Sequence, residues 1–315
     1  MRVLLLTFLR KKSKMNIKNS IYIILAGIFW GSMGLFVHVL TDDFGFSSIQ
    51  GAVIRITMGT LILGTFLLIK DRSLFKVNPK HIPLLAVNGL VSVLLMTSFY
   101  FASVSAGTSM SITAVLVYTA PFIVVLVSCL FMGEKFTAQK VISLVIAFAG
   151  CCLVSLTDAG QSTPLGLVFG VCSGISYALY SILSTVAIRR QIHSFTITFY
   201  SFAFASIGCI FIAIFTDMGS VFALATDIPK LTLSMFGTGL VTAVLPFTLY
   251  TKGLSGTSPS KASIMAYIEP IAACVFGYFR GEKLTALMVL GIVLTVTAIV
   301  FLNIKIPHLS GKEKQ

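Results

Sequence analysis

Long apolar runs broken by short polar punctuation dominate the chain. From Ile82 to Gly133 no Asp, Glu, Lys or Arg occurs. One helix of that length would be about 78 Å long at 1.5 Å per residue, over twice a ~30 Å hydrocarbon core. The stretch must therefore fold as two spans, with Ala106-Gly107 at the turn. The same reading along the chain predicts ten helices, over roughly 20–40, 48–69, 82–103, 108–132, 139–157, 165–188, 195–216, 231–251, 260–279 and 286–304. Each supplies the roughly 17–25 residues that a crossing needs. The expected fold class is an all-α polytopic membrane protein.

The polar punctuation repeats. Gly107-Thr108-Ser109, Ser111, Tyr118, Pro121 and Gly133-Glu134-Lys135 recur as Gly256-Thr257-Ser258, Ser260, Tyr267, Pro270 and Gly281-Glu282-Lys283. The offset is 149 residues up to the proline and 148 beyond it. Gly27 and Gly31 recur as Gly170 and Gly174, Gly89-Leu90-Val91-Ser92 as Gly239-Leu240-Val241-Thr242, and Tyr100 as Tyr250. Five predicted spans separate the copies, and an odd number of crossings turns the second copy upside down. The expected organisation is a basic N-terminal arm (1–19), a five-helix repeat (20–157), an inverted five-helix repeat (165–304) and a basic tail (305–315).

Composition agrees with immersion in lipid: 57% hydrophobic, 10% charged, mean hydropathy +0.99. The 23 Lys and Arg residues against 10 Asp and Glu would suggest nucleic acid on a soluble surface. Here nineteen of them fall on one side of the predicted bundle, and only Lys230, Arg280 and Lys283 on the other. That bias places both termini in the cytoplasm of a multi-pass protein of the plasma (cell inner) membrane, and removes the case for nucleic acid. Residues 1–14 lack the order of a signal peptide, and Met15 reads as an equally good start. All six cysteines fall within spans without ligand spacing, so neither disulfides nor metal is expected. His38, His81, His193 and His308 show no such spacing either. The loops leave no room for a nucleotide-binding domain, and no cofactor is implied.

The chain resembles the EamA-type transporters of the drug/metabolite superfamily over about residues 20–304. The resemblance rests on Trp30-Gly31-Ser32, Arg55, Ser98-Phe99-Tyr100-Phe101-Ala102, Pro121 with Gly133-Glu134-Lys135, and Glu269-Pro270 with Gly281-Glu282-Lys283. It implies a pseudo-symmetric ten-helix fold whose central cavity is lined by the first four helices of each half, the fifth and tenth being peripheral. It also implies export of small metabolites, amino acids or drugs, often with proton coupling.

Glu269 is the sharpest candidate for chemistry. It lies near the middle of the ninth predicted span, where a carboxylate costs roughly 2.5–3.5 kcal/mol to insert, so it must face a cavity or a partner. A lone acid there suits the loading and release of a proton. In the other copy the position is Ala120. Arg55 lies about 6 Å nearer the outer surface at helical rise, and two roles stay open: a salt bridge to Glu269, or a receptor for a substrate carboxylate. Pro121 and Pro270 interrupt their spans and free backbone carbonyls, the expected hinge of each half. Ser173, Ser176, Tyr177, Tyr180, Ser181 and Ser184 share one face of the sixth span, which must turn inward. With Trp30, Tyr100, Tyr250 and Tyr267, the tyrosines Tyr177 and Tyr180 are candidates for a cavity lining. The two Gly-Glu-Lys motifs end their spans, with charges expected at the interface.

These features point to a secondary active transporter of a small molecule by alternating access. An uptake permease or a passive channel is the alternative. A membrane-embedded enzyme is disfavoured, because the chain offers no His-Glu-x-x-His and no second midplane acid.

Overall fold

The computed structural model describes residues 17–156, 161–281 and 283–304. Most of the arm, all of the 305–315 tail, Glu282 and the alternative start at Met15 lie outside the described residues. Among those described, ten helices are long and apolar enough to cross a membrane: span 1 (Ile17–Asp43), span 2 (Ser48–Lys70), span 3 (Pro79–Ser105), span 4 (Met110–Phe131), span 5 (Ala138–Ser155), span 6 (Pro164–Arg189), span 7 (Ser194–Phe215), span 8 (Ile228–Leu254), span 9 (Pro259–Phe279) and span 10 (Ala286–Asn303). The apolar periodicity located every one of them, the largest differences being at the ends; span 3, expected over 82–103, runs from Pro79 to Ser105.

Short polar residues start the spans. Ser47 and Gln50 close a reciprocal capping box ahead of span 2, and Thr137 and Thr163 cap spans 5 and 6 through the amides of Lys140 and Gly166. Gly133 (φ 73°) and Gly281 (φ 92°) adopt the left-handed conformation that a side chain resists, and so stop spans 4 and 9. Behind Gly133 the Glu134 amide returns to the Ser128 carbonyl at 3.1 Å.

The most extensive packing joins one half of the chain to the other. Span 1 lies along spans 8 and 9, and its counterpart, span 6, lies along spans 3 and 4. Spans 2 and 7 pair, as do spans 5 and 10, so exchanging the halves reproduces the pattern of neighbours. Spans 5 and 10 meet where Gly150 admits the Gly291 backbone, and the Thr295 hydroxyl donates to the Ala147 carbonyl at 3.4 Å.

Polarity is arranged for lipid rather than water. Leu61, Phe66, Ile69, Phe211, Phe215 and Leu233 are exposed, whereas Ser103, Thr113, Ser201 and Thr242 are buried. Without water, hydroxyls must find partners inside the bundle. The sixth-span stripe does turn inward: Ser173, Ser176, Tyr180, Ser181 and Ser184 are buried. One further helix, Met218–Leu224, was not predicted, because seven residues inside a loop carry too short a pattern. It is held by Phe222 against Phe46, ring centroids 5.0 Å apart, while the Gln50 side-chain amide nearby donates to the Thr216 carbonyl.

Candidate functional site

Two helices are broken, at matching places. Span 4 runs as Met110–Val117 and Ala120–Phe131, and span 9 as Pro259–Met265 and Ile268–Phe279. Pro121 and Pro270 occupy the first turn of each second helix, where a missing N–H is tolerated. The joints tighten to three-residue turns, with the Phe122 amide on the Thr119 carbonyl and the Glu269 amide on the Ala266 carbonyl, both 3.0 Å. The breaks also touch: the Tyr267 hydroxyl donates to the Tyr118 carbonyl at 2.7 Å, and the two rings lie 6.2 Å apart. Tyr118 and Tyr267 are one position in the two copies. Close approach is possible because spans 1 and 6 pass the joints with glycine. A Cβ on Gly31 would stand 2.6 Å from the Glu269 carbonyl, and one on Gly174 would stand 2.7 Å from the Leu116 carbonyl.

Spans 3 and 8 widen to π-helix at Asn88–Leu94 and Leu240–Val244, the segments that carry the repeated Leu-Val. Widening releases carbonyls from the regular ladder. The Thr242 carbonyl, inside the span 8 segment, accepts from Arg55 Nε at 3.3 Å. The guanidinium also sits 5.7 Å from the Phe247 ring centroid. Its two terminal nitrogens meet no acceptor among the described residues. Arg55, Met96, Thr97, Phe202, Ala243 and Phe247 line a small cavity among spans 2, 3, 7 and 8.

Glu269 heads the second helix of span 9 and is partly enclosed. Its carboxylate accepts no hydrogen bond from a described residue. Glu269 and Arg55 interact electrostatically but do not meet as a salt bridge. The ion-pair reading of Arg55 is thus replaced: span 8 backbone holds the guanidinium, and both charged groups keep free ends. Tyr100, Tyr118, Tyr177 and Cys151 share the electrostatic surroundings of Glu269. The Tyr177 hydroxyl is buried without a hydrogen-bond partner.

The remaining aromatic candidates form the wall behind. Trp30 packs on Tyr177, Phe247 and Tyr250 with centroids 6.1, 5.2 and 5.4 Å away, and Tyr180 stacks edge-on against Phe247 at 5.0 Å. Tyr180, Tyr250 and Tyr267 are each only 1% exposed. Tyr250 shares a 2.9 Å hydrogen bond with Ser181, so its hydroxyl faces protein.

A second charged cluster escaped the sequence reading. Glu134 and Lys140 pair at 2.5 Å with side chains 8% and 9% exposed, rather than lying solvated at the interface. The second Glu134 oxygen accepts the Ser260 amide at 3.3 Å, satisfying an orphan donor at the start of span 9. Lys140 also donates to the Lys135 carbonyl at 3.0 Å, and Arg189 to the Met132 carbonyl at 3.3 Å. The ends of spans 4, 5 and 6 are thereby tied to the start of span 9. Only the glycine stop was legible; the cross-repeat partner was not.

A ten-span bundle with free charges beside paired helix breaks is the build of a polytopic membrane transporter. Residues 17–156 and 164–304 each match the EamA-like transporter family, and the chain belongs to that family. It is 30% identical to an uncharacterized transporter of Archaeoglobus fulgidus over 85% of this chain and 90% of that protein. It is 25% identical to the pseudopaline exporter CntI of Pseudomonas aeruginosa, covering 79% and 84% of the two chains. A solved crystal structure shares the fold at a TM-score of 0.76 and 15% identity, over 90% of this chain and 96% of its own.

Proposed function

We propose that the protein is a secondary active exporter of a small zwitterionic metabolite, an amino acid or a compound of similar charge. It works by alternating access in the plasma membrane, with protons as the coupling ion and both termini in the cytoplasm. The observation that carries this is the pair Glu269 and Arg55, opposite charges inside the bundle whose free ends no described protein group satisfies. Charged groups held inside a membrane-spanning bundle without protein partners call for a ligand or solvent in that place. An ammonium suits the acid, a carboxylate suits the guanidinium fork, and Tyr100, Tyr177 and Trp30 supply ring surface between them. Export is supported by the relative named as an exporter and by the family resemblance. In this orientation the Glu134–Lys140 cluster closes the cytoplasmic end.

The broken spans 4 and 9 lie in opposite halves and touch through Tyr118 and Tyr267. Moving one joint therefore strains the other, as an inverted pair requires. Efflux from sealed vesicles, with and without an imposed pH gradient, tests the reading. Coupled efflux that survives Glu269→Gln would remove the acid from it.

A further inference from the structure

Where spans 3, 6, 7 and 8 meet, the aromatic wall gives way to uncharged polar side chains. The Asn88 side-chain amide donates to Ser201 at 2.8 Å and to Ser184 at 3.2 Å. Thr198 and Thr251 share a hydrogen bond of 3.2 Å. The Tyr180 hydroxyl faces Ser184 and Thr198, yet completes no hydrogen bond with a described residue. Asn88, Tyr180, Ser184, Thr198, Ser201 and Thr251 are each at most 1% exposed. The hydroxyl protons here are largely committed. Ser201 donates to the Ile197 carbonyl at 2.8 Å, Thr198 to the Ser194 carbonyl at 3.1 Å and Thr251 to the Phe247 carbonyl at 2.9 Å. A hydroxyl has one proton, so what these three still offer is lone pairs. Asn88 Oδ1 adds an acceptor with no partner among the described residues.

Buried polar atoms without partners are costly and mark a place for a ligand. This cluster has a surplus of acceptors, which calls for a donor or a cation. Aromatic faces border it: the Tyr180 ring lies 6.3 Å from Tyr250 and 5.0 Å from Phe247, and such faces attract cations. We infer that the cluster is an uncharged subsite for a primary ammonium, the first stop of the substrate's ammonium group on its way from the cytoplasm to Glu269. The inference rests on the zwitterion reading and the orientation proposed above, in which these residues lie toward the cytoplasmic ends of their spans. Tyr177, one turn before Tyr180 on span 6, shares the surroundings of Glu269 and joins the two places. An ammonium head has about the bulk of a water molecule and carries three donors. Oxygens without charge hold it loosely, so it can pass on to the acid. The subsite is closed to solvent in this conformation and fills as the cytoplasmic end opens.

Ammonium binding can be read without transport. The full chain carrying Glu269→Gln, which removes the other proposed ammonium site, is purified in detergent and heated at fixed pH and ionic strength. Methylammonium chloride should raise its thermal midpoint saturably, by roughly 3 °C at tenfold excess over the dissociation constant. Sodium chloride and tetramethylammonium chloride should not. Adding Tyr180→Phe keeps the ring and drops only the unpartnered hydroxyl, so the protein should fold as before and bind methylammonium roughly tenfold more weakly. Adding Asn88→Leu should abolish the shift. No methylammonium shift, an equal shift with sodium or tetramethylammonium, or an unchanged affinity in the Tyr180→Phe protein would overturn the inference. Failure of the carrier reading looks different: methylammonium binds as expected, yet no solute crosses the membrane of proteoliposomes.

Discussion

Glu269 shows what single residues reveal. A lone carboxylate in an apolar span is legible in sequence because its insertion cost demands a reason, and the contrast with Ala120 marks it further. What it faces was not legible. Whether Arg55 reaches Glu269 depends on how span 2 sits against span 8, and the carbonyl freed at Thr242 decides it. This predicts a specific division between substitutions. Arg55→Lys keeps the charge but loses the fork, so the apparent affinity for a carboxylate-bearing substrate should fall about tenfold, roughly 1.4 kcal/mol. Affinity for its amide analogue should change little. Competition binding with the two compounds would check this, and equal losses for both would return Arg55 to a packing role.

At the scale of elements, periodicity predicted the spans and proline predicted their interruptions. The π segments in spans 3 and 8 were invisible, because a one-residue widening leaves composition unchanged. The Glu134 cluster was also hidden, since Ser260 lies 126 residues away in sequence. Removing one partner of an enclosed ion pair strands the other, typically at 3–5 kcal/mol, whereas replacing both by apolar residues costs far less. Glu134→Leu should therefore lower the thermal midpoint in detergent more than Glu134→Leu combined with Lys140→Met, read by size-exclusion after heating. Additive losses would contradict the pairing. The glycine contacts make a parallel claim: Gly31→Leu and Gly174→Leu should each destabilise by about 1–3 kcal/mol, because both force side chains into a facing backbone. A neutral Gly174→Leu would mean that the span 4 joint is free to move aside.

For the whole molecule, the duplication was readable from sequence and the exchange of neighbours from packing. The proposed inversion and orientation make a testable sidedness: Lys135→Cys should label from the cytoplasmic face and Lys283→Cys from the external face. Labelling of both from one face would refute the inverted arrangement. Within that frame, symmetry supplies two equivalent joints, and departures from it supply chemistry at one of them. Glu269 stands where the other half has Ala120, and the proposed chemistry belongs to that exchange.

We propose that Glu269 couples proton movement to export. The most direct measurement uses proteoliposomes loaded with a defined mixture of amino acids and related zwitterions, with a pH-sensitive dye inside and an acidified exterior. At least one solute should leave as protons enter, and both fluxes should vanish together in Glu269→Gln. Solute efflux in the variant with the parent protein's dependence on the pH gradient would contradict it.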